Sequence, residues 1–157
     1  MIYKSTAGEL EIAFGKEGIV MIDWVENPRH QMLKEKLLPY INDSPYPVIV
    51  DLLVAQLDEY FDRRRTRFDL PVELHGTRFQ LNVWKALGEI PYGTTLSYSK
   101  LASNMGISSS VRAVAGAVAR NPVNILVPCH RVVAASGHGG YAGGIQAKLT
   151  LLDLELS

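Results

Sequence analysis

The sequence predicts a mixed α/β (α+β) protein in two parts. Residues 1–74 read as a small N-terminal strand meander with helices, and residues 75–157 as a mainly helical C-terminal domain containing a helix-turn-helix. Three observations lead there. The opening segment has strand periodicity, whereas later segments repeat at helical spacing. The two parts differ in charge, with 9 Lys+Arg against 13 Asp+Glu in residues 1–74 and 7 against 3 in residues 75–157. Two short helical stretches, "SYSKLASNMG" and "VRAVAGAVAR", flank the break "ISSS" in the second part, a helix-turn-helix pattern.

Each element has a local reason. "GELEIAFG" sets Leu10, Ile12 and Phe14 between polar neighbours, and "GIVMIDW" is a short apolar run after Gly18; both are strand signals. "NPRHQMLKEKLLPYI" reads as a short helix with Asn27 as its cap and Pro28 at the first helical position. After "SPYP", Val50, Leu53, Val54, Leu57 and Phe61 share one helix face. The arginines of "DRRRTRFDLPVEL", Arg63 to Arg65 and Arg67, read as a solvated turn with no site role.

In the second part, Thr77 and Gln80 form a capping-box pair opening "TRFQLNVWKALGEI", with Phe79, Val83, Trp84 and Leu87 expected inward. "PYGTT" is a turn, Ser97 caps the first short helix, and Gly106 stops it. The second helix is nearly bare, because Ala113, Ala115, Gly116, Ala117 and Ala119 lie between Arg112 and Arg120. A smooth helix suits close approach to another surface, and equally to another helix. The last segment, "IQAKLTLLDLELS", is a helix with Leu149, Leu152 and Leu156 available for packing.

Composition narrows the function classes. A chain that is 47% hydrophobic and 20% charged is an ordered globular one. No apolar run approaches the roughly 20 residues of a membrane span. The opening "MIYKSTAGELEIAF" lacks a secretion-signal pattern. One cysteine makes no intramolecular disulfide, so a reducing cytoplasm is the expected compartment. Zero net charge argues weakly against nucleic acid, yet the second part, at 7 − 3 = +4, can present a basic face to phosphates. One cysteine and four scattered histidines have no ligand spacing, so neither metal nor cofactor is expected.

The single cysteine, Cys129, sits in "NILVPCHRVV" between Pro128 and His130. By residue type alone a lone cysteine is a small buried hydrophobe. As a nucleophile it acts as thiolate and needs a group that favours ionisation. His130 is the candidate, although strand neighbours point to opposite faces; a turn at Pro128 or an intervening water would connect the two. Histidine needs an orienting acceptor, and Glu155 on the final helix offers one.

"IPYGTTLSYSKLA", "VRAVAGAVARNP", "ILVPCHRVV" and "GYAGG…K…LL…E" together resemble the O6-alkylguanine-DNA alkyltransferase family. The specific likeness runs from Gly76 to Glu155; the N-terminal part is similar more loosely, in its meander and in "YF…F…LP". The resemblance implies a monomer that acts on double-stranded DNA carrying O6-alkylguanine, and in some cases O4-alkylthymine. Its members flip the damaged base from the minor groove and move the alkyl group to cysteine, once per molecule. It implies Cys129 as acceptor, His130 as a water-relayed base and Glu155 as its partner, with the thiolate available near neutral pH. Tyr98 would press on the phosphate backbone and bond the guanine edge, Asn121 would brace the turn, and Arg112 would fill the vacated stack. Ser110 and Arg120 would contact DNA. The carbonyls of Cys129 and Val132 would accept from the guanine amino group, the amide of Ala142 would donate to O6, and Tyr141 would wall the pocket. Asn124 stands where some relatives have proline, and it is expected near the pocket mouth with the loop "AASGHGG". On the residues alone two other readings stay open: a cysteine hydrolase using Cys129 and His130, and a module that binds alkylated DNA without repairing it. Known modules of that kind lack the acceptor cysteine.

Overall fold

In a computed structural model, which describes residues 1–156, the opening segment folds as an antiparallel meander. Its strands are β1 (Ile2–Ser5), β2 (Gly8–Phe14) and β3 (Ile19–Trp24). Leu10 lies opposite Trp24 and Ile12 opposite Ile22, so the alternating residues of β2 and the end of β3 reach one core. β3 is buried throughout because both its faces are covered. Ile22 and Trp24 enter the main core, while Val20 and Met21 pack on Leu37 of α1 (His30–Leu37).

The outer edge of β3 is closed by irregular chain rather than by another strand, which satisfies its backbone groups. Ile19 exchanges hydrogen bonds with Pro71 and Glu73 at 3.0 and 2.8 Å. Ile22 donates to the Pro122 carbonyl at 2.9 Å and accepts from the Asn124 amide at 2.8 Å. Residues 122–124, just ahead of the cysteine motif, are thereby fastened to the N-terminal sheet.

Helix α1 does not begin where Asn27 and Pro28 suggest; its cap position is Arg29. The Asn27 side chain is otherwise engaged, donating to Asp23 at 3.1 Å and accepting from the Arg29 amide at 3.1 Å. Helix α2 (Pro47–Phe61) buries Leu53 and Leu57 as expected, along with Gln56 and Tyr60. Val50, Val54 and Phe61 are only half-buried. Helix α3 (Arg78–Gly88) carries the capping box, with Gln80 N–H donating to Thr77 Oγ1 at 3.1 Å and Thr77 N–H to Gln80 Oε1 at 3.0 Å. Val83, Trp84 and Leu87 are buried, but Phe79 is 37% exposed because the first turn of α3 overhangs the core.

Strand β4 (Leu96–Ser97) leads into α4 (Tyr98–Asn104), capped by Ser97 Oγ accepting from Lys100 N–H at 3.0 Å. Gly106, at φ 74°, lets the chain leave the helix while Ile107 N–H returns to the Ala102 carbonyl at 3.0 Å. A single 3₁₀ turn over Ser108–Ser110 then enters α5 (Val111–Ala119). Trp84 Nε1 donates to the Ala117 carbonyl at 2.9 Å and ties α5 to α3. β5 (Val132–Val133) runs parallel to β4, and α6 (Ile145–Leu156) closes the described chain. Its inward side is Ala147, Lys148, Leu151, Leu152, Leu154 and Glu155, whereas Leu149 is half-buried and Leu156 is 65% exposed. The expected leucine face is thus turned, because two ionisable residues seven apart face inward. Among the described residues no helix is long and apolar enough to cross a membrane.

The capping box gives a direct stability test. Thr77→Ala removes the acceptor for Gln80 N–H and should cost about 1 kcal/mol. For a chain of this size that lowers the thermal midpoint by about 2–4 °C, read by calorimetry at constant pH.

Candidate active site

The loop between α5 and the cysteine is a tight turn held by one side chain. Asn121 Nδ2 donates to the Val127 carbonyl at 2.7 Å, and its Oδ1 accepts from Val123 N–H at 3.0 Å. Between these points Ile125 is forced to φ 75°, a conformation a β-branched residue rarely takes. The chain then enters a 3₁₀ turn over Cys129–Arg131. Adjacent side chains therefore diverge around a helix instead of pointing to opposite strand faces, and Cys129 and His130 both lie inside the fold at 5% and 0% exposure.

Cys129 lines a cavity of about 510 Å³. The structure brings Tyr98, Asn121, Tyr141 and Ala142 to the same cavity, together with Asn27, Pro28 and Arg29 from the first part of the chain. Those last three carried no site signal in sequence. Tyr141 is braced by Trp24, whose Nε1 donates to its hydroxyl at 3.1 Å, and a Cβ at Gly143 would fall within 2.6 Å of the Trp24 ring. Asn124 is at the buried back of this cavity, not at its mouth.

Arg112 is exposed on α5, Arg120 is exposed just past its end and Ser110 is half-buried just before its start, all outside the cavity lining. Val132 is also outside that lining, and its carbonyl already accepts from Lys148 Nζ at 2.6 Å.

Behind the cysteine lies a buried ionic cluster. His130 Nε2 meets Glu155 Oε2 at 2.6 Å. Tyr60 donates to the same oxygen at 2.6 Å, and Arg131 reaches the carboxylate through Nε at 2.8 Å and Nη2 at 3.1 Å. Burial opposes ionisation of Glu155, but donors from His130, Arg131 and Tyr60 outweigh it and hold its pKa down to about 2. Burial keeps His130 neutral, its pKa lowered with help from Arg131 and Lys148. A carboxylate can only accept, so Nε2 carries the proton. Nδ1 is then a lone pair, and it is buried with no hydrogen-bond partner among the described residues.

The resting thiol differs from expectation. Burial pushes Cys129 up to about 11, although Asn121 and Lys148 pull the other way. At neutral pH it is a thiol that needs a base to become a nucleophile. Lys148 and Arg131 were missed in sequence, and Asn124 was noted only for its place near the pocket. The available signal was in α6, where Lys148 and Glu155 lie seven residues apart on an apolar helix face. Among the described residues no group of three His, Cys, Asp or Glu side chains could hold a metal ion.

The site is thus a helix pair beside a cavity lined by one buried free thiol, with a His–Glu pair behind it. Comparison with known proteins places it further. Residues 1–74 match the 6-O-methylguanine DNA methyltransferase ribonuclease-like domain, and residues 78–157 match the DNA-binding domain of the same family. The chain belongs to the 6-O-methylguanine DNA methyltransferase family. A methylated-DNA–protein-cysteine methyltransferase from Methanosarcina acetivorans is 36% identical over 98% of this chain and 96% of its own length. Its counterpart from Mycobacterium leprae is 52% identical over 65% of this chain, and that match spans 62% of the relative's length. The crystal structure of Mycobacterium tuberculosis OGT in complex with DNA is similar at TM-score 0.84 and 38% identity, covering 99% of this chain and 91% of that one.

The cluster predicts a pH signature. Glu155 is held at about 2, below its ordinary 4.5, so the unfolded chain binds more protons between those values. Its contribution to stability is therefore complete above about pH 4.5 and is lost as pH falls towards 2. Glu155→Gln leaves Arg131 buried without its counter-charge and should cost roughly 3–5 kcal/mol at pH 7. Urea unfolding of both proteins at successive pH values should show that difference shrinking below pH 4.5.

Proposed function

We propose that this protein repairs DNA by direct reversal, transferring an alkyl group from O6 of guanine to Cys129. The observation that carries the reading is the thiol in a base-sized cavity, with the proton-accepting side of His130 left free by Glu155. The basic second part and the helix pair α4–α5 support DNA as the partner, bound through the minor groove, and an unpaired thiol suits the cytoplasm.

In this reading α5 lies against the groove, with Ser110 and Arg120 on the DNA and Arg112 entering the stack as the base leaves it. Extrusion costs a few kcal/mol, least where pairing is already damaged. Tyr141 and Ala142 receive the base. The Cys129 proton passes through a water to His130 Nδ1, and Sγ attacks the alkyl carbon as the carbon–O6 bond breaks. Negative charge moves to the base, where the Ala142 amide at O6 and the Tyr98 hydroxyl stabilise it. Guanine leaves with a proton taken from water in place of the alkyl group, and His130 returns the thiol's proton to water. One S–H and one carbon–O6 bond are thus exchanged for one carbon–sulfur bond and one protonated guanine. The Val132 carbonyl, engaged by Lys148, has one lone pair left for the guanine amino group.

The product is a thioether, and the chain has no second thiol to regenerate the first. Intact mass after incubation with methylated DNA should show one methyl per protein and no further product with time. Cys129→Ser should show none, and multiple turnovers would exclude an acceptor thiol. Arg112→Ala should slow repair in duplex DNA by about tenfold or more, equivalent to 1.4 kcal/mol or above, while transfer from the free base keeps its rate. Equal losses on both substrates would give Arg112 a part in the chemistry or the fold.

A further inference from the structure

A second hydrogen-bond chain reaches Cys129 from the opposite side, and the transfer scheme above does not use it. Asn124 is fully buried, at 0% exposure. Its Nδ2 donates to the Ile22 carbonyl at 2.9 Å and to Asp23 Oδ1 at 3.3 Å. Both are acceptors, so the carboxamide cannot flip without turning its own oxygen on them. Oδ1 is therefore fixed on the other side, where Sγ of Cys129 donates to it at 3.5 Å. Asp23 is held in turn by Asn27 at 3.1 Å and by the His30 ring at 2.7 Å, and His30 reaches Glu11 at 3.1 Å. The outermost member is Lys34, paired with Glu11 at 2.7 Å.

A carbonyl oxygen can accept from S–H but offers nothing to a thiolate. We propose that Asn124 is a positioning residue whose locked amide holds Cys129 as the neutral thiol, its proton turned towards β3, until a base occupies the cavity. The inference rests on Cys129 being the acceptor thiol. The other groups that influence the sulfur come from every element around it. Tyr98 of α4 and Tyr141 of the closing loop are held as neutral phenols, first by burial and then by the cysteine. The Asn121 amide and Lys148 of α6 favour the thiolate, and Asp23 behind Asn124 opposes it. Among these groups Asn124 is the one that accepts from the thiol.

The arrangement suits a group that reacts once. A protonated thiol resists stray electrophiles and oxidants. Once its proton has gone to His130, a thiolate of high proton affinity is the stronger nucleophile. Asn124 Oδ1 then faces a negative sulfur and favours its alkylation.

Because Cys129 is the one thiol in the chain, its ionisation can be read without DNA, from the rate of iodoacetamide alkylation against pH with intact mass as the measure. In the wild-type protein the midpoint should lie above the free-thiol value of about 8.5. In Asn124→Ala it should fall by about one pH unit, raising the rate near neutrality about tenfold. Asn124→Ser, whose hydroxyl can donate to sulfur, should fall at least as far. All proteins are titrated below their thermal midpoints; an unchanged or raised midpoint in either variant overturns the proposal. The infrared S–H stretch of the wild-type protein checks the bond with no substitution. A band shifted below that of a free thiol supports it, and an unshifted band overturns it. A protein that passes these tests but gains no methyl from methylated DNA keeps the Asn124 contact and loses the repair reading.

Discussion

One carboxylate organises this molecule. Glu155 is buried at 5% exposure and receives five hydrogen bonds, from Tyr60, His130, Gly93 and twice from Arg131. A buried charge is tolerated only when it is paired and its lone pairs are met, so these donors are obligatory neighbours. They come from α2 in the first part of the chain, from the turn before β4, and from the cysteine motif itself. Arg131 extends the constraint, with Nη1 on the Ile90 carbonyl at 2.7 Å and its guanidinium 5.6 Å from the Tyr92 ring centroid. The same carboxylate thus fixes the docking of α6, the position of the N-terminal helix and the tautomer of His130.

The opposite side of the cysteine is set by backbone. Residues 122–124 join the outer edge of β3, and Asn121 closes the turn that puts Ile125 at positive φ. Strain of that kind persists only where surrounding bonds over-determine it. Here they do, from the sheet on one side and from Asn121 within the loop. Cys129 therefore sits between a carboxylate system that orients His130 and an amide that accepts from the thiol. The first part of the chain belongs to the site as much as the second, through Trp24 behind Tyr141 and Ile22 and Asp23 behind Asn124.

The parts legible in sequence were those governed by local rules. The alternation of β2, the Thr77–Gln80 capping box, the Ser97 cap and the Gly106 stop are each specified within a few residues. Asn27 met the local rule for a cap, but Asp23 competes for its side chain and the helix starts later. Phe79 had helical spacing with Val83 and Leu87, but periodicity does not say where the core ends. The leucines of α6 misled because hydrophobicity outweighed two ionisable residues; burial of Lys148 and Glu155 turned the helix instead. Cys129 and His130 stood out by motif, and Glu155 as the acceptor that the final helix offers a histidine, a role the family likeness also implies. The thiol's ionisation could not be read, because it depends on burial and on Asn121, Lys148 and Asp23, which surround the sulfur only in the fold.

That last point bears on the choice between a single-use acceptor and a hydrolase. A hydrolytic cysteine must be re-formed every cycle, so its acyl-enzyme must admit water and its base must return a proton each time. Here the thiol is raised by burial, the histidine is neutral, and both are buried, with Cys129 lining the cavity. Such a thiol is little ionised at neutral pH and is a strong nucleophile once ionised. Displacement at an alkyl carbon needs that strength, because the bond formed is a thioether from which sulfur does not leave. In the proposed reaction the polar groups around Cys129 serve one irreversible event, with Asn124 accepting from the thiol beforehand and Glu155 orienting His130 during it.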